Sequence, residues 1–563
     1  MAGGVSKGKV ARPRPSGWAG GLLSVLPWAI LRRMPTLRPS FRACAGALSV
    51  LVLAAVAALP LRRAAAEEGY AAGTVFHDRD RDGVRDPGEE GIPGVRVSNG
   101  REVVETDAEG RYRLPVSDDT VLFVVKPRGF MTPVDGRNVP RFFYLHKPAG
   151  SAKLRHAGLQ PTGPLPPSVD FPLYSRAEPD RFCAVFLGDV QPANARQLGY
   201  LAEEIVPEIA AAGAAFGVAL GDNVFDALWL LDPVAETLGL AGIPFYYALG
   251  NHDMNYDASS DRDSDETFER VIGPSYYSFD WGPVHFAVLD DVEWHPATLV
   301  SNAHYEAAFG EEQLVFLEND LAHVPEDRLV VLAMHIPLIA VRDRAALYRL
   351  LEKRPFSVSI SAHEHYQRHV FIDGHDGFAG LAPHHHLINA TACGSWWRGL
   401  PDERGIPHAT MSDGAPNGYS LFRFDGNRYT IDFKAAARPA DFQLSIDAPS
   451  SVSRSAAASA IVTANVFAGS ERSTVEMRLG PQGPWTPLKR VVRTDPFYER
   501  TKRLEARLNV PKEYELPDPT PCHHLWQAHL PADPPPGLHV LRVRTKDMFG
   551  RSFAADRVIR IVP

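Results

Sequence analysis

The sequence contains few cysteines, and none are spaced to bind a metal. Only four occur in 563 residues, and Cys44 lies in the basic N-terminal segment. No two of them form a CxxC pattern, which excludes the usual cysteine-bound zinc site. Cys183 lies in an apolar run typical of a buried strand. A disulfide between Cys393 and Cys522 stays open, because sequence spacing alone does not decide a pairing.

Acidic residues are absent from the first 66 positions, which instead carry ten Lys or Arg. A run of small and apolar residues extends from Ala43 to Leu59, and Ala64-Ala65-Ala66 matches the small-residue pattern of a cleavage site. We therefore interpret residues 1–66 as a signal or targeting segment, with Met34 as a more usual start. The alternative is an uncleaved N-terminal anchor, which Arg62-Arg63 favour. Cleavage predicts an exported bacterial protein, periplasmic or extracellular.

Long apolar runs and clustered basic residues are both missing after this segment. No later stretch is apolar enough to span a bilayer, so no transmembrane segment is expected after signal cleavage. The net charge is −8 for the whole chain and −18 without the ten basic residues of the N-terminal segment. So acidic a body argues against specific binding of nucleic-acid duplexes, because phosphate contacts need clustered Lys and Arg.

Element patterns predict three folded parts after the targeting segment, since 563 residues are too many for one hydrophobic core. Residues 67–170 show short strand patterns separated by turns and predict a β-sandwich. Residues 176–435 alternate apolar strand runs with helix-like stretches such as Arg196–Ala212, which predicts a layered α/β domain. Residues 436–563 return to strand patterns and predict a second β-sandwich. Nothing in these patterns indicates an oligomeric state.

Polar residues directly follow five of the predicted strands. The five segments are Gly188-Asp189-Val190-Gln191, Gly221-Asp222, Gly250-Asn251-His252-Asp253, Met334-His335-Ile336-Pro337 and Ala362-His363-Glu364-His365. Strand ends of a layered α/β domain share one crevice, so we expect these side chains to meet. A single such Asp is more often a helix cap or turn residue, but five segments in order favour a metal centre.

The donor atoms of these segments are carboxylate and amide oxygens and imidazole nitrogens. They suit Mn, Fe or Zn better than Ca. A set this large predicts two ions. Two ions about 3.5–4 Å apart can bind both the attacking and the leaving oxygen of an in-line displacement at phosphorus. The nucleophile would be a metal-bridged hydroxide.

The order of the motifs resembles the calcineurin-like metallophosphoesterases, whose segments run DxH, GDxxxD or similar, GNH(D/E), a single His and GHxH. The resemblance implies an α+β fold with a layered αββα core, flanked by N-terminal and C-terminal β-sandwich domains. It also implies two metal sites that share Asp222. One would use Asp189, Gln191, Asp222 and His365, and the other Asp222, Asn251, His335 and His363.

The same resemblance implies two catalytic residues. His252 would contact the substrate phosphate and protonate the leaving oxygen, and Asp226 is the match for the Asp that orients it. Gln191 stands where the family usually has His. Because an amide oxygen is a harder ligand than imidazole, this change favours Mn or Mg and weaker binding at that site. Ala362 also stands where the family usually has Gly.

Further segments resemble a subgroup with extra domains at both ends. They are Phe142–Pro148, Tyr276–Phe279, Gly394-Ser395-Trp396-Trp397 and Asp413–Tyr419. Two interpretations of the Trp pair and the Asn417 loop stay open, packing at a domain junction or a wall of the substrate pocket. For the triple His384-His385-His386, an additional metal ligand stays open as the alternative, and a solvated loop after Pro383 is expected.

An acidic loop in the first domain matches the calcium pattern DxDxDGx5E. Asp78, Asp80, Asp82 and Glu89 occupy its ligand positions, and Gly83 its sharp turn. The flanks are strands, so we predict a structural calcium ion in a β-sandwich rather than an EF-hand pair. The alternative is an acidic turn that only adds surface charge.

These patterns predict an exported two-metal phosphoesterase acting on phosphomonoesters or phosphodiesters, with Mn²⁺ favoured. Its partner would be a small phosphoester or an envelope component. One alternative is a cell-surface binding or structural protein with a non-catalytic metal centre, in which His252 would be dispensable. Another is a phosphohydrolase directed at envelope glycans or lipids, although no basic amphipathic helix supports membrane docking.

Overall fold

The computed structural model describes residues 69–563. The predicted targeting segment 1–66, including Cys44, lies outside the described residues. Within residues 69–563, no helix has both the length and the apolar composition needed to cross a bilayer.

The first described part contains two four-stranded sheets, in the orders β4-β1-β8-β6 and β3-β2-β5-β7. In β4, alternate residues Tyr112, Leu114 and Val116 are buried, the period-two pattern of a strand with one face on a core. The strands are β1 (Gly69–His77), β2 (Arg96–Ser98), β3 (Val103–Glu105), β4 (Arg111–Val116), β5 (Thr120–Val124), β6 (Phe130–Met131), β7 (Phe143–His146) and β8 (Phe171–Ser175).

The central part alternates strands and helices. Its elements are β9 (Arg181–Leu187), α1 (Ala195–Glu204), α2 (Val206–Ala211), β10 (Phe216–Leu220), α3 (Leu231–Gly239), β11 (Phe245–Ala248), α4 (Glu266–Val271), β12 (Tyr277–Trp281), β13 (Val284–Val288), β14 (Val292–His295), β15 (His304–Ala307), α5 (Glu311–Ala322), β16 (Leu329–Ala333), α6 (Arg344–Leu351), β17 (Ser357–Ser361), β18 (Arg368–Ile372), β19 (His384–Ile388), β20 (Gly418–Asp425) and β21 (Arg428–Ala435).

Most of these strands form two sheets packed face to face with helices outside, and β14 and β15 pair as a separate two-stranded sheet. The first has the order β11-β10-β9-β20-β21 and the second β12-β13-β16-β17-β19-β18. Phe216 of β10 meets Phe286 of β13 with ring centroids 5.2 Å apart. Leu201 of α1 packs on the outer face of the first sheet, and Leu347 of α6 on that of the second. The strands are buried on both faces, which explains their unbroken apolar runs. The predicted layered αββα core is confirmed.

The predicted helix Arg196–Ala212 is two helices, α1 and α2. Pro207 lies in the first turn of α2 and has no N–H to donate to the carbonyl four residues earlier, so the chain breaks between the helices. At its start, Asn194 caps α1 by accepting the N–H groups of Arg196 and Gln197.

The C-terminal part is a second pair of sheets, in the orders β22-β24-β28-β27 and β23-β30-β29-β25-β26. It also contains a helix, α7, that the sequence patterns missed. Asp495 caps α7 and Pro496 occupies its first turn. The elements are β22 (Leu444–Asp447), β23 (Ser451–Ser453), β24 (Ile461–Val466), β25 (Thr474–Leu479), β26 (Thr486–Pro487), β27 (Lys489–Arg493), α7 (Pro496–Leu508), β28 (Cys522–His529), β29 (Gly537–Lys546) and β30 (Ser552–Val562).

The α+β class with β-sandwich parts on both sides of the core is thus confirmed. The boundaries 67–170, 176–435 and 436–563 stay predictions. The core of the first part continues into the central sheets, since Phe123 of β5 packs edge-on against Phe316 of α5 at 5.4 Å.

Two expectations about polar side chains change in the structure. His384-His385-His386 is not a solvated loop but the start of β19, which is buried inside the second sheet. Ser359 of the adjacent β17 lies within hydrogen-bond distance of His384 (2.8 Å) and His386 (2.7 Å), and such partners allow imidazoles to be buried. Cys183, Cys393 and Cys522 are buried free thiols, so the disulfide considered for the last two is not formed.

Candidate metal centre

The five polar segments meet at neighbouring strand ends of the two central sheets. Asp222, His335 and His363 each offer a ligand atom, and these atoms lie within 4.8 Å of one another. Nε2 of His335 is 3.3 Å from Oδ1 of Asp222 and 3.1 Å from Oδ1 of Asn251. The four residues predicted for one metal site are therefore side by side.

The ring orientation of His335 suits a metal ligand. Its Nδ1–H donates to the carbonyl of Leu220 at 2.9 Å, which leaves Nε2 facing the oxygens of Asp222 and Asn251. Nδ1 of His363 lies 3.1 Å from the same Nε2. Burial alone would lower the pKa of His335, but Asp222 outweighs it and raises the pKa to about 10, so this position favours positive charge.

The residues predicted for the other site lie beside this group. Oδ1 of Asp189 is buried without a hydrogen-bond partner among residues 69–563 and lies 3.6 Å from Nε2 of His365. His365 donates its Nδ1–H to the carbonyl of Gly394, so its Nε2 is also available. The side-chain amide of Gln191 donates to Oδ2 of Asp222 at 2.9 Å.

The electrostatics of this half also favour a bound cation. Burial raises the pKa of Asp189 to about 8, and the neighbouring Asp222 adds to the effect. Two carboxylates buried together are costly in their charged forms unless positive charge lies between them. The unpartnered carboxylate oxygen of Asp189 fits a bound divalent ion. The oxygen and imidazole donors of both predicted sites fit such ions as well. The ligand assignment itself stays a prediction.

Five of the seven predicted ligands have left-handed backbone conformations. Their φ angles are 34° for Asp189, 39° for Gln191, 49° for Asp222, 70° for His363 and 52° for His365. Such angles are uncommon outside glycine and carry strain that the surrounding fold must offset. The fold therefore holds these side chains in positions that relaxed turns would not give.

His252 and Asp226, the predicted catalytic pair, are in contact. Nδ1–H of His252 donates to Oδ1 of Asp226 at 2.6 Å. Burial alone would lower the pKa of His252, but the hydrogen bond with Asp226 and the charges of Asp222 and Asp226 outweigh it and raise the pKa. The backbone N–H of His252 donates to Asp222, so the ring is fixed relative to the ligand set.

Two buried carboxylates near the centre, Asp253 and Asp291, were given no role from the sequence. Asp253 accepts the backbone N–H groups of Asn223, Val224 and Gly250, which ties the loops after β10 and β11 together. Asp291 accepts the N–H of His335 through its Oδ1 at 3.2 Å. Asp253 directly follows His252, and that adjacency was the one available signal. No spacing marked Asp291.

Three sequence profiles of one family match successive parts of this chain. They are described as N terminal of Calcineurin-like phosphoesterase (residues 79–159), Calcineurin-like phosphoesterase (residues 184–367) and C terminal of Calcineurin-like phosphoesterase (residues 386–553). The central match begins in β9 and ends just beyond His365. The chain belongs to the calcineurin-like phosphoesterase family. It is a metal-dependent phosphoesterase, and the family depends on two metals.

Other comparisons add little to this phosphoesterase assignment. No curated protein matches the sequence. Among solved structures the chain is similar to the purple acid phosphatase PPD1 isolated from yellow lupin (Lupinus luteus) seeds. The two share 11% identity with a TM-score of 0.32, over 62% of this chain and 67% of that chain. A likeness at this level carries no argument of its own.

Aromatic side chains surround the metal centre of this phosphoesterase. Phe225 stacks on the His252 ring with centroids 4.6 Å apart. Trp396 lies 4.0 Å from the His365 ring, and Tyr305 meets the His363 ring edge-on at 6.4 Å. Three part-exposed aromatic rings therefore flank predicted site residues.

Each of the two interpretations of the Trp pair fits one of its two residues. Trp397 is buried, and its indole N–H donates to the carbonyl of Val190 at 2.9 Å, which is a packing role. Trp396 is part-exposed beside His365. Nδ2 of Asn417 donates to the carbonyl of Ala392, so this side chain is occupied in holding the loop.

The predicted calcium residues are close together but not in a single group. Ligand atoms of Asp78, Asp80 and Glu89 lie within 4.8 Å of one another, and Asp82 groups instead with Asp80 and Asp86. Asp78 is fully buried and accepts the N–H of Gly83 at 3.1 Å, so the loop closes on its first carboxylate.

Proposed function

We propose that this chain is an exported phosphoesterase that hydrolyses small phosphomonoesters or phosphodiesters whose leaving group contains an aromatic or apolar part. The observation that carries the proposal is the His252–Asp226 pair, held beside a cluster of buried ligand residues. A purely structural metal site has no use for an oriented imidazole that is not itself a predicted ligand.

The chain's own residues would perform the following steps. Asp189, Gln191, Asp222 and His365 would hold one divalent ion, and Asp222, Asn251, His335 and His363 the other. When bound, the ions supply Lewis-acid polarisation of the phosphoryl group and activation of water. Asp226 fixes Nδ1 of His252, so that Nε2 is left to face the substrate and donate a proton to the leaving oxygen.

The proposed substrate class follows from the three part-exposed aromatic rings. Tyr305 and Trp396 lie next to the predicted ligands His363 and His365, and Phe225 stacks on His252. Aromatic and apolar groups bury favourably against such surfaces. A leaving group with an aryl ring or nucleobase would gain binding energy there, whereas a small polar alcohol would not.

Manganese is the proposed metal for the site with Gln191, because an amide oxygen is a harder donor than imidazole. We also propose a structural calcium ion in the loop of Asp78, Asp80 and Glu89, supported by their proximity and the oxygen-only donor set. Export is supported by the basic segment 1–66 with its apolar run and Ala64-Ala65-Ala66. N-terminal sequencing of the protein recovered outside the cytoplasm would test it, and an intact N-terminus starting at residue 1 would contradict cleavage.

The decisive experiment compares hydrolysis of mono-aryl and bis-aryl phosphates with Mn²⁺ by the wild type, Asp222→Ala and His252→Ala. We expect His252→Ala to lose at least about a hundredfold in kcat, the usual contribution of general acid–base catalysis. Asp222→Ala should lose at least as much, because it removes the ligand that both metal sites share. His375→Ala, at an exposed histidine, is the matched control and should retain wild-type rates. Equal rates in all four proteins would refute the enzymatic role, and the preference between the two substrates distinguishes monoesterase from diesterase.

A further inference from the structure

A two-stranded hairpin, β14–β15, lies next to the metal centre and has two different faces. Its register places His295 opposite His304, Trp294 opposite Tyr305 and Glu293 opposite Glu306. Because side chains alternate along a strand, both histidines and both glutamates share one face. Trp294 and Tyr305 share the other.

The aromatic face of the hairpin supports the metal centre. Trp294 is buried, packs on Tyr256 with centroids 5.4 Å apart and donates its indole N–H to the carbonyl of Ala258. The hydroxyl of Tyr256 in turn donates to the carbonyl of Asn251 at 2.7 Å. Tyr305 contacts the His363 ring edge-on. The position of the hairpin thus bears on two predicted metal ligands.

The polar face brings imidazole and carboxylate groups together without hydrogen bonds between them. Nε2 of His295 lies 3.6 Å from Oε1 of Glu293 and 3.8 Å from Oε2 of Glu306, and Nε2 of His304 lies 3.8 Å from Oε1 of Glu306. The atom Nε2 of His295 is buried and has no hydrogen-bond partner among residues 69–563.

These separations approach those of ligands around a tetrahedral metal ion. Ligand atoms about 2.0–2.2 Å from Zn²⁺ lie about 3.3–3.6 Å from one another. Ligand atoms of His295, His304 and Glu306 are all within 4.8 Å of one another. Small side-chain movements would close the set. The two imidazoles, stacked with centroids 5.0 Å apart, are already on the same side of the hairpin.

We propose that His295, His304 and Glu306 bind one divalent transition-metal ion, with Zn²⁺ the best fit, on the outer face of the hairpin. Two imidazoles and one carboxylate favour Zn²⁺ over Ca²⁺ or Mg²⁺, which prefer oxygen donors. Glu293 or a water completes the coordination. The guanidinium of Arg342 contacts Oε2 of both glutamates, which leaves Oε1 of Glu293 beside His295 and Oε1 of Glu306 beside His304.

This site is separate from the predicted catalytic ligands and joins the two strands of the hairpin at the end next to their connecting loop. A metal ion bound on the polar face would fix the hairpin and so keep Trp294 and Tyr305, on its other face, in place beside the predicted metal centre. The consequence for catalysis rests on the proposed function, but metal binding itself does not.

The test is the number of Zn²⁺ ions bound per chain after removal of metals, titrated against a chromophoric chelator. We expect His295→Ala/His304→Ala to bind one ion fewer than the wild type, and Glu306→Gln to bind that ion more weakly. His323→Ala/His375→Ala, which removes two exposed histidines elsewhere, is the matched control and should bind as many ions as the wild type. Thermal melts of the wild type and the variants in excess chelator should coincide, which would exclude a folding defect in the variants.

Repeating the titration in an Asp222→Ala background separates this site from the catalytic centre. The same loss of one ion in that background supports the hairpin site whatever the fate of the proposed function. An unchanged ion count and affinity in His295→Ala/His304→Ala, or an equal loss in the control pair, would overturn the proposal.

Discussion

Asp226 fixes His252 through a 2.6 Å hydrogen bond to Nδ1, and this bond decides which ring nitrogen faces the metal centre. Asp226 itself is half-exposed and has a φ of 56°. Backbone strain of this kind clusters at functional sites, which fits a role for Asp226 in orienting the imidazole.

Asp226→Asn should lower kcat about ten- to a hundredfold with little change in KM, because the amide holds the ring less firmly and favours the wrong tautomer. The loss should be larger for phenyl phosphate than for 4-nitrophenyl phosphate, whose leaving oxygen needs less protonation. Steady-state kinetics on both substrates measure it. Asp118→Asn, at an exposed aspartate, is the control. A loss independent of the leaving group would argue against a role in proton donation.

Gln191→His should tighten metal binding at the weaker predicted site. Imidazole binds divalent transition metals more strongly than an amide oxygen, so the Mn²⁺ concentration for half-maximal activity should fall about tenfold. Mild chelation should inactivate the wild type reversibly, with recovery on adding Mn²⁺, and should affect the variant less. The exposed Gln482→His controls for an added histidine. Unchanged Mn²⁺ dependence would mean that residue 191 does not ligate the ion.

The strand-end residues could be identified from sequence because their signal is local. Asp189, Asp222 and Asn251 each follow a glycine after an apolar run, and that order of residues is enough to predict a buried strand and a turn. The layered core follows from the same runs. The left-handed φ angles of Asp189 and Asp222 were not predictable, since they depend on the loops that pack around them.

What the sequence could not show arises from contacts between distant segments. The burial of His384 and His386 needs Ser359 on the neighbouring strand, and only the pairing of β17 with β19 reveals that match. Asp291 acts on His335 across 44 positions. Helix α7 was missed although Asp495-Pro496 is an ordinary helix start, because the surrounding strand patterns outweighed it.

His285 should make the stability depend on pH. It is fully buried between Asp280 (2.8 Å) and Asp320 (3.0 Å). Arg96 pairs with both carboxylates and Arg328 with Asp280. Burial alone would lower the pKa of His285, but the two carboxylates outweigh it and raise the pKa above the unfolded value. This stabilisation is therefore complete below the unfolded pKa, near 6.5, and is lost as the pH rises through the folded pKa.

His285→Gln should lower the free energy of unfolding by about 3–5 kcal/mol at pH 6, as expected for removing one member of a buried charge cluster. The difference in free energy of unfolding between variant and wild type should become smaller as the pH rises, because His285 loses its charge and no longer pairs with the two carboxylates. Urea unfolding at pH 6 and pH 9 measures both values. His323→Gln on the surface is the control. A difference that widened with pH would mean that His285 is neutral in the folded protein.

Calcium should stabilise the first β-sandwich through the loop of Asp78, Asp80 and Glu89. Millimolar Ca²⁺ should raise the melting temperature of the wild type, because an ion that binds only the folded state shifts the unfolding equilibrium. Asp80→Ala should abolish the increase and the heat of Ca²⁺ binding in calorimetry, while the exposed Asp118→Ala should keep both. Absence of binding to the wild type at millimolar Ca²⁺ would leave the loop as an acidic turn.

Trp396 should select aromatic leaving groups. Its ring lies 4.0 Å from that of His365 in a left-handed backbone conformation (φ 55°), which holds it at the rim of the centre. Trp396→Ala should raise KM for aryl phosphoesters about three- to tenfold, the value of one lost aromatic contact, and should raise KM for alkyl phosphoesters less. Trp396→Phe should recover most of the preference. Trp485→Ala, in the C-terminal sheets, should leave both KM values unchanged. Equal increases for aryl and alkyl substrates would show that Trp396 supports His365 rather than the leaving group, because a displaced metal ligand weakens every substrate alike.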